Sequence, residues 1–206
     1  MENRLGFWLA LINLVGGLLY FGLVALAAMA GGLPPAEPFQ TLISAVTFLS
    51  IPCLILLWVV LHRLTLAPQQ LFSQASLVMV VVFATLTSIN RYNSLTVVPQ
   101  AQALGQTEGL ALFQPYGWPS IMTALEVLAW GFYFGLACLC LAPAFGRGRL
   151  EKAIFWVLLT CGTLSLLSAL GQVLNNIPLN LLGILAWGPG FAILMILLMA
   201  WFNKNL

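Results

Sequence analysis

The stretch FQTLISAVTFLSIPCLILLWVVL, from Phe39 to Leu61, decides how the rest of the chain is read. It carries no charged side chain, and His62 and Arg63 come directly after it. An apolar run of this length reads as a helix that crosses a membrane. In hydrocarbon, backbone groups must bond within a helix or around a closed barrel. Barrel strands alternate polar and apolar residues, whereas this run is continuous. A helix is therefore expected, with Pro52 as a kink.

The same pattern extends in both directions. The 206 residues are 62% hydrophobic and 6% charged, with a mean hydropathy of +1.04. Such a chain has too little polar surface to cover a soluble core. The expected fold is all-α, a polytopic membrane protein forming a single transmembrane domain over residues 1–206, a bundle of six helices. The first is expected at 5–30. Ala28-Met29-Ala30 has the small-x-small form of a signal-peptidase site, but the run is too long for a signal segment and is read as a retained helix. Gly31-Gly32-Leu33-Pro34-Pro35 stops it. The others are expected at 39–62, 71–98, 118–142, 153–174 and 179–202. Two ends remain open for the third, Asn90 or Val98 before Pro99. An outer loop is expected at 99–117, with Gly109 to Phe113 as a short amphipathic turn.

Charge sets the expected orientation. If the helices alternate, Arg4, Arg63, Arg147, Arg149, Lys152 and Lys204 fall on one side, and Glu37 and Glu108 on the other. Basic residues in short loops mark the cytoplasmic side. Both termini are therefore expected in the cytoplasm, with the chain in the plasma or inner membrane. The net charge of +2 is too small to point to nucleic acid.

The remaining basic residue, Arg91, lies in Ser88-Ile89-Asn90-Arg91-Tyr92-Asn93-Ser94. Glu126 lies roughly 12 Å inside the fourth helix at about 1.5 Å per residue. Gly188, Pro189 and Gly190 reach a similar depth in the sixth, and Thr47 and Ser50 in the second. Asn90 and Arg91 join this level if the third helix continues to Val98, and Ser168 of the fifth comes close. The expectation is one polar layer in the outer half of the bundle. Glu126 must face the interior, be protonated or pair, and Arg91 is its natural partner through a bidentate contact. Three readings stand: a clamp between helices three and four, a ligand or proton site, or an unpaired Arg91 reaching for the headgroups.

Pro189 frees the Leu185 carbonyl, and its flanking glycines let the chain open and let a neighbour approach. Interrupted helices mark binding sites in transporters, and a plain kink is the alternative. Cys161, Ser165, Ser168 and Gln172 form a stripe on the fifth helix, either a cavity wall or a helix contact. On the fourth, Met122, Glu126, Tyr133, Ala137 and Cys140 share a face, with Gly131 and Gly135 as a packing pair on another.

Absences narrow the chemistry. His62 is the only histidine, which excludes bis-histidine haem and His-based metal sites within one chain. No Asp occurs, no Lys lies inside a span, and no nucleotide-binding motif is present. The four cysteines lie in apolar runs without metal-ligand spacing and read as small buried side chains. No cofactor or metal is expected.

The segments Ala124-Leu125-Glu126-Val127-Leu128, Leu141-Ala142-Pro143-Ala144-Phe145, Leu150-Glu151-Lys152 and Leu95-Thr96-Val97-Val98-Pro99 resemble those of a group of small six-span bacterial membrane proteins of uncharacterised activity. The resemblance implies a six-helix fold and no chemistry.

The expected function is binding of a small amphipathic or lipid-like molecule in the outer half of the bundle. Arg91 and Glu126 would anchor its polar end, with Asn90, Ser168 and the backbone at Gly188, Pro189 and Gly190 beside them. Transport, with Glu126 carrying a proton, is one version. An accessory subunit bound to partner membrane proteins is the alternative, and an enzyme acting on lipids is the third.

Overall fold

The computed structural model describes residues 1–32 and 35–205. Six helices are long and apolar enough to cross a membrane, and no strand occurs among the described residues. They are α1 (Glu2–Ala30), α2 (Phe39–Leu64), α3 (Gln70–Ala103), α4 (Ile121–Ala144), α5 (Arg149–Val173) and α6 (Ile177–Lys204). α1 ends at Ala30, directly before the stop expected at Gly31 to Pro35, of which Leu33 and Pro34 lie outside the described residues.

Both termini sit at one end of the bundle, where the Asn3 side-chain amide donates to the Asn205 carbonyl. An Arg63–Glu2 ion pair of 2.8 Å lies at the same end. The Glu151 carboxylate there accepts from the backbone N–H of Arg147 and Gly148, at 2.9 and 3.1 Å, and so caps α5. Every Lys and Arg except Arg91 belongs to this basic end. The half of the bundle nearest it is a packed core that includes Leu57, Trp58, Phe134, Leu198 and Phe202. Ser76 ties three helices together there. Its hydroxyl accepts from Trp58 Nε1 at 2.8 Å and donates to the Ala137 carbonyl at 2.6 Å.

Neither expected end of α3 holds. The helix runs through Pro99 to Ala103, so its 34 residues span about 51 Å, well beyond the roughly 30 Å hydrocarbon layer. The loop folds back to support the extension. Asn93 Nδ2 donates to the Phe113 carbonyl at 2.9 Å, and a 3-10 turn at Leu110–Phe113 packs on α3. The expected break at Pro99 fails because a proline near a helix end removes only one N–H, and neighbouring contacts hold the turn.

α4 begins at Ile121, where the Ser120 hydroxyl accepts from the Thr123 N–H at 3.4 Å. Both α4 and α6 contain a π-helical turn, at Leu128–Tyr133 and Ala186–Gly190. A π turn inserts a residue and rotates the remainder of the helix. Past it, α4 buries Phe134, Ala137, Cys138 and Leu141, while Tyr133 and Cys140 are only partly buried. The single face expected from Met122 to Cys140 is therefore broken at that turn. Gly131 and Gly135 pack on α5, where an added Cβ would lie 2.9 Å from Ala169 Cβ and 3.1 Å from the Gly162 carbonyl respectively. Small residues permit such contacts in lipid.

Candidate functional site

Asn90, Arg91 and Glu126 come together because α3 stays helical past Asn90. Well before its end, α3 brings both residues against the first turns of α4. Arg91 Nη2 donates to Glu126 Oε1, and Asn90 Nδ2 donates to Glu126 Oε2. Asn90 Nδ2 also reaches the Met122 carbonyl at 3.2 Å. Both carboxylate oxygens are thus engaged, but by two residues. The expected bidentate fork is replaced by a single guanidinium contact plus an amide. Arg91 is fully buried, and its Nε and Nη1 have no hydrogen-bond partner in the protein.

Two tyrosines complete this layer. The Arg91 Cζ lies 5.7 Å from the Tyr20 ring centroid and 6.0 Å from that of Tyr116, within reach of a cation–π attraction. The two hydroxyls bond to each other at 3.0 Å, joining α1 to the loop before α4. Tyr116 has φ 64, a left-handed conformation that a bulky residue holds only when its surroundings impose it. Burial raises the Tyr116 phenol above its usual range, against the opposing pull of the Arg91 guanidinium. It therefore remains a protonated donor.

Beneath this layer lies a cavity of about 450 Å³. Arg91, Glu126, Tyr20, Tyr116 and Thr123 form its polar end. Its depth is walled by Leu54, Phe83, Trp130, Trp187 and Phe191. Gly16 and Gly17 leave α1 without side chains on this wall. Thr47 and Ser50 also line it, but their hydroxyls donate to their own helix at Ile43 and Val46, 2.9 and 2.7 Å away.

The cavity is bounded sideways by Val24, Ala25 and Ala28 of α1 and by Ile184 of α6. Along α6, α1 packs extensively on Phe191–Lys204 and at most marginally on Ile177–Leu185. The latter segment leans on α5 instead. A Cβ at Gly171 would lie 2.4 Å from the Asn180 nitrogen, and one at Gly183 2.5 Å from Ser168 Oγ. Ala25, Ala28 and Ile184 are exposed, so the two helices part beside the cavity.

No family model, curated protein or solved structure matches this chain. Function is therefore read from the geometry alone.

The remaining candidate residues lie elsewhere. Ser168 donates to the Asn180 carbonyl at 2.6 Å, inside the α5–α6 contact. In the same stripe Ser165 accepts from Trp187 Nε1 at 3.0 Å, and Gln172 accepts from Asn180 Nδ2. Those residues are helix contacts. Around Pro189 the backbone widens into the π turn and stays helical. The proline is exposed. Gly188 and Gly190 serve close approach, with an added Cβ meeting the Phe21 ring at 3.2 Å and Cys161 Sγ at 2.6 Å. Their neighbours Trp187 and Phe191 reach the cavity; Gly188, Pro189 and Gly190 do not.

Sequence reasoning missed Tyr20 and Tyr116. Tyr20 was legible as the one aromatic with a hydroxyl in the apolar first helix. Nothing in the loop marked Tyr116, whose position depends on the return of the chain over Arg91.

Proposed function

We propose that this is an integral membrane protein that binds a small amphipathic or lipid-like molecule in the cavity beneath Arg91 and Glu126. Transport is one form that the activity takes, with Glu126 as the proton carrier. In this reading both termini are cytoplasmic, the membrane is the plasma or inner membrane, and the cavity lies in the outer half. The observation that carries it is a cavity with a buried ion pair at one end and aromatic and aliphatic walls below. Its volume falls within the roughly 300–1,000 Å³ typical of small-molecule sites. Asn90 supports the pair. Ser168, Gly188, Pro189 and Gly190 do not enter the proposal, because they serve helix packing.

Native mass spectrometry of the protein, released from its own membrane in mild detergent, tests this. A reproducible small adduct is expected, and Glu126→Gln is expected to weaken its retention more than it lowers thermal stability. Equal losses in the two measurements would leave the Arg91–Glu126 pair as a clamp between α3 and α4. A bare chain released together with other polypeptides would favour an accessory subunit. For a lipid-modifying enzyme, Tyr92 is not the second acid–base group, being 60% exposed and packed near Phe48; the phenols at the polar end with Glu126 are Tyr20 and Tyr116, which bond to each other.

A further inference from the structure

Taken as the binding site proposed above, the cavity also restricts the chemistry of its occupant and its route of entry. At the polar end the formal charges are balanced, Arg91 against Glu126. A third charge in this low-dielectric layer would have no counterion. The hydrogen-bonding capacity is not balanced. Both Glu126 oxygens already accept. Arg91 Nε, Arg91 Nη1 and the Thr123 hydroxyl are buried without partners. Of the two tyrosine hydroxyls bonded to each other, one still has a proton to give. The Arg91 N–H groups can only donate, while the Thr123 and tyrosine hydroxyls can donate or accept, so the capacity without an alternative on this wall is for donating. Of the unpartnered buried groups nearby, Asn90 Oδ1, which can only accept, does not line the cavity.

We infer that the occupant is a bilayer-resident molecule whose polar end is an uncharged hydrogen-bond acceptor, a carbonyl of the ester or ketone class, and that it enters sideways between α1 and α6. The carbonyl meets the Tyr20–Tyr116 pair and the Arg91 N–H groups behind it, while the apolar body lies against Phe83, Trp130 and Phe191. The route rests on the parting of α1 from the Ile177–Leu185 segment, beside Ala25, Ala28 and Ile184. The residues that flank that gap are apolar and exposed, as an opening towards lipid requires.

The test compares methyl oleate with oleate, which share a chain and differ in headgroup charge. The purified protein in nonionic detergent is offered both at a pH where oleate is ionised, and retention is read by native mass spectrometry. Wild type is expected to retain methyl oleate at least about tenfold more strongly, since an unpaired buried charge costs more than one decade in affinity. In Glu126→Gln, where Arg91 is left as an unbalanced cation, the preference is expected to reverse. Gly17→Leu is expected to lose both probes. A Cβ there makes only an ordinary 3.5 Å contact with Phe191, so the added chain fills the cavity rather than disturbing the helix. Equal retention, or a preference for oleate, in wild type overturns the headgroup assignment and leaves the cavity reading standing. Failure of wild type to retain either probe, or retention that survives Gly17→Leu, overturns both. If Glu126→Gln does not fold, the wild-type ratio and Gly17→Leu still decide. For the route, Ile184→Trp is expected to slow capture of methyl oleate from vesicles several-fold; an unchanged rate overturns lateral entry.

Discussion

The two halves of the bundle are made of the same six helices and solve the same problem differently. Near the basic end, α1 and α6 touch so closely that a Cβ on Gly6 would lie 2.4 Å from the Phe202 ring; further along, α1 packs at most marginally on Ile177–Leu185 and the two helices part beside the cavity. Polar groups divide the same way. Near the basic end, Ser76 serves Trp58 and the Ala137 carbonyl, and His62 Nδ1 and Ser73 share a 2.8 Å bond. Among the described residues, the buried side-chain polar atoms without partners belong to Gln40, Ser44, Thr87, Asn90, Arg91 and Thr123, all in the opposite half. Membrane helices gain little from hiding apolar surface from one another, so tight packing and satisfied polar groups hold them. The half near the basic end has both. The other half has unused polar capacity around a cavity, which is the expected trade at a binding site.

The harshest way to break this contrast is Arg91→Ala. It leaves the Glu126 carboxylate without its cation in a mostly buried place, and a loss of about 3–5 kcal/mol is expected, read as a lower midpoint in detergent thermal unfolding. An unchanged midpoint would mean that the pair supports neither half. Next come the two glycines. Gly6→Leu should cost about 1–3 kcal/mol by forcing Phe202 aside, while Gly17→Leu, whose side chain enters the cavity, should stay within about 0.5 kcal/mol of wild type. Equal effects in the same unfolding assay would erase the distinction between the halves. A smaller effect than that of Gly6→Leu is expected from Tyr20→Phe, which removes one hydroxyl from the bond to Tyr116. Stability should fall by about 0.5–1 kcal/mol, with weaker retention of a neutral ligand. A loss of retention with no change in stability would sharpen the assignment of this pair to the site.

Much of the helix plan was legible from residues alone. Charge-free runs such as Phe39 to Leu61 leave no alternative to spanning helices, and the scarcity of charge made Arg91 and Glu126 conspicuous. The ends were less legible. Pro99 read as a stop, yet Asn93 and the Leu110–Phe113 turn hold α3 together beyond it. The Gly188-Pro189-Gly190 motif was compatible with an opened site or a kink; in the structure its glycines admit Phe21 and Cys161, and its flanking aromatics face the cavity. The Ser168 stripe was equally compatible with a cavity wall or a helix contact, because small polar residues serve both.

Composition and run length, by themselves, determined that the chain folds as membrane-spanning helices, since backbone groups in lipid must be satisfied within each segment. They also marked Arg91 and Glu126 as natural partners, because neither tolerates hydrocarbon alone, but an unpaired Arg91 reaching the headgroups stayed open until the structure placed the two together. Only the tertiary structure decided where the cavity lies and which side chains face it. Tyr20 and Tyr116 are separated by 96 positions and meet through one hydrogen bond. The π turn in α4 rotates the residues beyond it, and α6 leans towards α5 and away from α1. Those outcomes depend on how helices pack against one another, which no periodicity within a single helix encodes.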